Sequence, residues 1–389
     1  MTGRPRPAAE QGWDDVRMVL TGWPFATVVT VLALTAPVAV LSLWGRLRGG
    51  ALLRTVQRLG LVAWCQLSAV LVTAVLVNNQ FDLYESWDDL FGADDGQGAQ
   101  VQSDPSRAES AHAGSAVGDV PSSNPFGALA GSGRVLNERV RGPRSGVTSK
   151  IWVLLPAGYT DPGNAARHYP VVMFLPGYPG TPTTWLHALD LQRVMDAEVA
   201  AGRVPPFIAV LPTMSVAAPR DTECVDVVDG PKVATWLAQD VPQIVTAQTR
   251  ALPPGTAWAT TGYSTGGFCA AKLALSYPRT FANAAVLAGY FSPSNDLTTG
   301  DLYGGSEQVR QQNDPQWLIT HRAPPAVHLL TVWSAQDPET AGPTRSFLAA
   351  VRPPLTADQI ALSKGGHNTS VWRGVLPQVL RWLGAHTHG

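Results

Sequence analysis

Cysteine is scarce in this chain: three residues in 389, at positions 65, 224 and 269. That number excludes a disulfide-built scaffold, and no Cys-x-x-Cys pair is present to hold a structural metal. Charge is thin as well. Asp, Glu, Lys and Arg make up 15% of the residues and the net charge is −1, so no overall field recruits nucleic acid or an anionic membrane surface. Apolar periodicity is missing from a long internal stretch. Residues 93–133 are Gly, Ala, Ser, Asp and Gln with scattered Pro, a composition that cannot build a core. Together with the aromatic, acidic segment before it, where Tyr84 and Trp87 suit a membrane interface, residues 78–133 read as an interfacial segment and flexible tether. No internal repeat is visible.

Two windows near the N-terminus lack charge altogether. Residues 23–44 hold none over 22 positions, and residues 59–77 none over 19. At about 1.5 Å per residue each spans a hydrocarbon core of about 30 Å. No Ala-x-Ala site closes the first run and a second follows directly, so the reading is a transmembrane hairpin behind a 22-residue tail, rather than a cleaved leader. The connection carries Arg46, Arg48, Arg54 and Arg58 without an acid, against Arg4, Arg6 and Arg17 in the tail, and no Lys or Arg follows the second span until Arg107. This asymmetry predicts a cytoplasmic loop, with the C-terminal part outside the membrane.

What is present, from residue 134 onward, is alternating strand and helix. Residues 135–140 and 148–155 read as two early strands, the continuous apolar runs 170–175 and 207–211 as strands buried on both faces, and 281–287, 326–332 and 359–362 as later strands. Helical patterns at 232–246, after 264 and at 370–383 lie among them. This is an α/β class domain, 134–389, with a mostly parallel sheet. Its centre is Gly262-Tyr263-Ser264-Thr265-Gly266, a Gly-x-Ser-x-Gly motif with a short apolar run before it and a helix pattern after it. Strand, tight turn and helix with Ser at the apex make the setting of a nucleophile elbow, and glycine on both sides leaves room for the turn.

A serine nucleophile needs a base and an orienting acid. Downstream, His367 stands in Gly365-Gly366-His367-Asn368, after a late strand and before the last helix; His321 and His328 flank a helix end and a strand, and His386 and His388 lie in the tail. Asp337 is the first carboxylate after the strand 326–332, with Glu339 as the alternative acid; a turn cap before Pro338 is the plainer role for Asp337. Ser264, Asp337 and His367 thus form a candidate triad in the order Ser, acid, His. Pro176-Gly177-Tyr178-Pro179-Gly180 follows the strand 170–175. Pro179 has no N–H, so the candidate oxyanion donors are the amides of Tyr178 and of Thr265, the residue after the nucleophile. Cys224 and Cys269 could form a bridge tying the 220–224 loop over the site, or Cys269 could be a buried thiol. Asp221 and Glu223 in that loop could contact a polar substrate or lie solvated. No cofactor or metal is called for.

With these pieces assembled, the chain from Gly146 to Leu383 resembles the esterase D-like branch of the α/β-hydrolases, including the secreted mycolyltransferases. The matching pieces are Tyr169-Pro170-Val171-Val172, Leu175-Pro176-Gly177, Gly262-Tyr263-Ser264, Tyr277-Pro278-x-x-Phe281, Leu287-Ala288-Gly289-Tyr290-Phe291-Ser292-Pro293, Asn313-Asp314-Pro315 and Gly365-Gly366-His367-Asn368 with Trp372 beyond. The resemblance implies a metal-free Ser–acid–His acyl hydrolase or acyltransferase acting outside the cell. The mycolyltransferases carry their acid as a Glu on a helix corresponding to 346–349, where this chain has Ala349, which directs the acid to Asp337 as in esterase D relatives. The oxyanion loop lacks the Asp and Arg that those transferases set around their sugar, which favours an esterase. A membrane-tethered serine esterase acting on an acyl ester is therefore the leading expectation. An acyltransferase, and a non-catalytic envelope-binding domain on the same fold, are the alternatives.

Overall fold

The computed structural model describes residues 23–81, 134–294 and 296–388. The N-terminal tail and most of the tether assigned from the sequence lie outside these residues. The chain divides into two compact units, one at the N-terminal end and one covering the rest.

The first unit is a helical hairpin. Helix α1 (Trp23–Leu43) and helix α2 (Ala51–Phe81) are joined by a short turn closed at Gly49, whose φ of +126° few other residues adopt. Phe25, Val29 and Val75 are buried between the helices, while Leu34, Leu41, Leu52 and Leu67 are each more than 60% exposed. Leucines left bare along two long apolar helices match a hydrocarbon surround better than water. Both helices are long and apolar enough to cross a membrane, as an anchor or a signal sequence would be. The second helix is longer than the uncharged window suggested. It begins at Ala51, so Arg54 and Arg58 lie on its first turns, not in the loop, and it continues to Phe81, into the segment read as interfacial. No proline interrupts 51–81 and arginine is a good helix former, so the charged turns stay helical; Arg58 lays its guanidinium over the Trp44 ring at 5.0 Å.

The second unit runs β1 (Val135–Arg141), β2 (Thr148–Leu154), β3 (Val171–Leu175), α3 (Pro182–Leu186), α4 (Leu191–Ala200) and β4 (Ile208–Pro212). Next comes α5, composed of Val233–Thr235, a π turn at Trp236–Asp240, and Val241–Gln248. Then follow β5 (Gly255–Tyr263), α6 (Thr265–Ser276), β6 (Phe281–Leu287), α7 (Glu307–Gln312), α8 (Pro315–His321), β7 (His328–Ser334), α9 (Pro338–Ala350), β8 (Thr356–Leu362) and α10 (Thr369–His386). The strands form one sheet in the order β1-β2-β4-β3-β5-β6-β7-β8. The β1–β2 and β2–β4 pairs are antiparallel and the rest are parallel. This is the α/β-hydrolase topology.

Alternation along β3 shows how the sheet is buried on both sides. Val171, Met173 and Leu175 face one apolar layer with Trp236, Phe268 and Phe347 from α5, α6 and α9. Val172 and Phe174 face the other with Trp185, Met195 and Leu376 from α3, α4 and α10. A strand covered on both faces must be apolar throughout, as β3 and β4 are. Glu198 of α4 pins the last helix to this face, accepting hydrogen bonds from Arg203 and Arg381 at 2.7 Å each. Phe174 is fully buried, edge-on to Trp185 at 5.0 Å between ring centroids. Phe174→Ala is expected to cost about 3–5 kcal/mol of stability, read by denaturant titration followed through the tryptophan signal.

Candidate active site

Three parallel strands end at one rim of the sheet, and each delivers one of the sequence-predicted residues. Ser264 follows β5 directly and caps α6, with φ 56° and ψ −126°. A non-glycine residue there is strained, and the surrounding backbone holds it. A Cβ on Gly262 would stand 2.2 Å from the carbonyl oxygen of Gly266, and a Cβ on Gly266 would stand 2.2 Å from that of Leu175. Only glycine permits β5, α6 and the end of β3 to approach so closely. Ser264 N–H donates to the Leu287 carbonyl at 3.0 Å, tying the turn to β6.

Asp337 follows β7 and is the N-cap of α9, its carboxylate accepting from the Glu339 amide at 3.2 Å. The same side chain accepts from Thr340 Oγ1 at 2.7 Å and bonds to Nδ1 of His367 at 2.9 Å. The capping role and the histidine-orienting role are therefore held together. Burial of Asp337 would raise its pKa, but the Thr340 and His367 hydrogen bonds, the charge of the imidazole and the Glu339 amide hold it below the ordinary carboxylate value.

His367 follows β8, just before the Asn368 cap of α10. Its loop is fastened to the one after β7: Ser334 Oγ donates to the Gly365 carbonyl, and Gly365 N–H donates to Gln336 Oε1 at 3.1 Å. The imidazole stands edge-on to Trp372 at 5.1 Å, and Trp372 stacks on Tyr263, the residue before Ser264, at 4.4 Å. An aromatic stack thus joins the histidine loop to the elbow. His328 opens β7, so it sits a full strand length from Ser334, and His321 bonds the Trp317 carbonyl in its own helix. Neither joins the site.

Glu339, the alternative acid, is exposed and close. Its carboxylate, that of Asp337 and a ring nitrogen of His367 lie within 4.8 Å of one another. These three are the group among the described residues that could ligate a metal ion.

For the oxyanion donors, a Cβ on Gly177 would lie 3.0 Å from the Cβ of Ser264, so the loop carrying Tyr178 starts beside the nucleophile. Tyr178 itself donates its hydroxyl to the Pro219 carbonyl. Thr265 is the first residue of α6, where a backbone N–H has no partner within the helix.

Beneath Thr265 lies a feature the sequence had as a loop of uncertain use. Asp221 and Glu223 are buried, at 4% and 0% exposure, so they are not a solvated loop. Thr265 Oγ1 donates to Asp221 Oδ2 at 3.2 Å, and Tyr290 donates to Glu223 Oε1 at 2.7 Å. Lys272, buried on α6, donates to the carbonyls of Glu223 and Cys224, both at 2.9 Å. Burial pushes the Asp221 carboxyl up to about 6 and that of Glu223 up to about 7, and brings the Lys272 ammonium down to about 7. Cys224 and Cys269 are joined by a disulfide, Cα to Cα 5.9 Å, leaving Cys65 the free thiol. The acidic residues of 220–224 look like a surface loop in sequence because their partners, Tyr290 and Lys272, are remote in the chain.

Comparison with known proteins follows the same lines. Residues 144–383 match the family model described as "Putative esterase". A curated but uncharacterized protein of Corynebacterium glutamicum is 25% identical over 243 residues, 60% of this chain and 56% of its own length. The chain thus spans about half the length of the curated relative it matches. Among solved structures, a ferulic acid esterase superposes with a TM-score of 0.56 at 18% identity, covering 64% of this chain and 97% of the other. An S-formylglutathione hydrolase from Agrobacterium tumefaciens gives 0.55 at 15%, covering 65% and 95%. The fluorophosphonate-binding serine hydrolase F of Staphylococcus aureus gives 0.52 at 18%, covering 65% and 99%. At these identities the likeness is one of fold.

Gly266→Ala places a methyl group against the Leu175 and Pro176 carbonyls, at 2.2 and 2.4 Å before any relaxation. The variant is expected to lose about 1–3 kcal/mol of stability, seen as a lower melting temperature by calorimetry.

Proposed function

As the chain belongs to this esterase family, we propose that it is a serine carboxylic ester hydrolase working through an acyl-enzyme, with Ser264 as nucleophile, His367 as general base and Asp337 as the acid that orients it. The observation that carries the reading is the backbone of Ser264, held at a φ of 56° at the apex of the β5–α6 turn. Strain of that kind costs on the order of 1–3 kcal/mol, and presenting the hydroxyl clear of the sheet is what it accomplishes. The Asp337–His367 bond at 2.9 Å supports it by holding Nδ1 protonated, which leaves Nε2 to take the serine proton.

In the first half-reaction Ser264 Oγ attacks the ester carbonyl while its proton passes to His367. The carbonyl oxygen becomes an oxyanion facing the amides of Tyr178 and Thr265. Collapse of the tetrahedral species expels the alcohol, which takes the proton from His367. Water then repeats the sequence on the acyl-enzyme, releasing the acid and restoring Ser264. No metal or organic cofactor enters these steps. An alcohol that outcompeted water in the second half would make the same site an acyltransferase.

The proposal extends to location: α1 and α2 anchor the chain, and the domain from residue 134 works outside the membrane on an envelope or extracellular ester. The Cys224–Cys269 disulfide supports an oxidising compartment. Protease added to intact cells is expected to remove the domain; a domain spared until the cells are lysed overturns this placement.

A fluorophosphonate probe is expected to label Ser264, identified by peptide mapping, and to leave Ser264→Ala unlabelled. Asp337→Asn is expected to lower kcat on a p-nitrophenyl ester by roughly 10³–10⁴-fold, since the wrong imidazole tautomer is then favoured. A Ser264→Ala variant as active as the parent would end the reading.

A further inference from the structure

Three residues of α6 share one face at helical spacing: Thr265, Cys269 and Lys272, positions i, i+4 and i+7. Each is bonded to the 221–224 loop, and each by a different means. Thr265 gives a hydrogen bond to Asp221, Cys269 a disulfide to Cys224, and Lys272 an ammonium to the carbonyls of Glu223 and Cys224. The loop in turn is held by the segment after β6. Asp221 N–H donates to the Thr298 carbonyl at 3.0 Å, and Glu223 Oε1 accepts from the Ser294 amide at 2.8 Å. Glu223 and Cys224 both have positive φ, 44° and 52°, a conformation that non-glycine residues keep only when their surroundings impose it.

So much fixing is more than a surface loop requires, and it converges on the residue next to the nucleophile. Asp221 Oδ1 accepts from the Glu223 amide at 2.9 Å while its Oδ2 accepts from Thr265 Oγ1, so both oxygens are used. Tyr290 closes the arrangement from the other side, 3.4 Å from Thr265 Oγ1. Thr265 is β-branched, with few χ1 choices, so tying its hydroxyl also ties its Cα and the peptide plane that leads into it.

We propose that Asp221 is a positioning residue for the esterase reaction: through the Thr265 hydroxyl it sets the direction of the Thr265 N–H toward the developing oxyanion. This rests on the hydrolase reading above. Asp221 is itself buried and touches no substrate. It acts chiefly on the transition state, because the ground-state carbonyl depends less on that donor than the oxyanion does. An amide displaced by a fraction of an ångström therefore lowers kcat and leaves KM in place.

The test is steady-state kinetics on a p-nitrophenyl ester with the purified full-length chain, each rate divided by active sites titrated from the acyl-enzyme burst. Thr265→Val keeps the shape and the backbone amide but removes the hydroxyl. Asp221→Asn keeps the shape but loses one of the two acceptors. Both are expected to lower kcat per titrated site roughly ten- to hundredfold with KM within about twofold, as small misplacements of a catalytic group do. Thr265→Ser, which retains the hydroxyl, is expected to recover most of the parent rate. Parent-like kcat per site in Thr265→Val and Asp221→Asn, whatever fraction of each is folded, overturns the positioning role and leaves the esterase reading standing. A parent chain that neither hydrolyses the ester nor takes the fluorophosphonate probe overturns both.

Discussion

The carbonyl oxygen of Leu175 lies where a Cβ on Gly266 would have to be, 2.2 Å away. That contact between the end of β3 and the first turn of α6 governs the geometry of the rim. Beside it, Gly177 lies against Ser264, and Ser264 holds a positive φ of 56° at the start of α6. The parallel order β3-β5-β6-β7-β8 then sets the remaining distances, because strands about 4.8 Å apart end at the same rim. A residue just past β7 and one just past β8 become neighbours for that reason, and Asp337 and His367 are those residues.

Two kinds of support hold the rim. On the β7–β8 side it is polar and partly open: Ser334, Gln336 and Gly365 cross-link the two loops, and the Tyr263–Trp372–His367 aromatic series connects them to the elbow. On the α6 side it is buried and ionisable, with two carboxyl groups and one amine along the first two turns of the helix. Burying such groups is costly unless every one is paired, and here each has at least two hydrogen-bond partners. A cluster of that kind is poor material for added stability and good material for fixing one arrangement of the helix start.

The hairpin and the catalytic unit follow different solvent rules. In the hairpin the apolar side chains face outward and few are covered. In the α/β unit the strands β3 and β4 are apolar on both faces and fully enclosed. One sequence therefore carries two hydrophobic patterns, continuous around a helix in the first unit and continuous along a strand in the second, separated by a stretch with neither.

Local pattern was enough for the strand–helix alternation, the apolar hairpin, and the elbow, because period, chain length and the Gly-x-Ser-x-Gly spacing are properties of neighbouring residues. Candidates for the acid and the base were also legible, since both stand just past an apolar strand. Local pattern misjudged the start of α2, where Arg54 and Arg58, good helix formers, lie inside the helix, and the 220–224 loop, whose acids look solvated. What only the tertiary structure decided was pairing. That Asp337 holds His367, that Cys224 meets Cys269, and that Asp221 lies under Thr265 each depend on partners 30 or more residues away, brought together by the fold. No periodicity within the chain encodes such meetings; the parallel sheet creates them by ending its strands in one place.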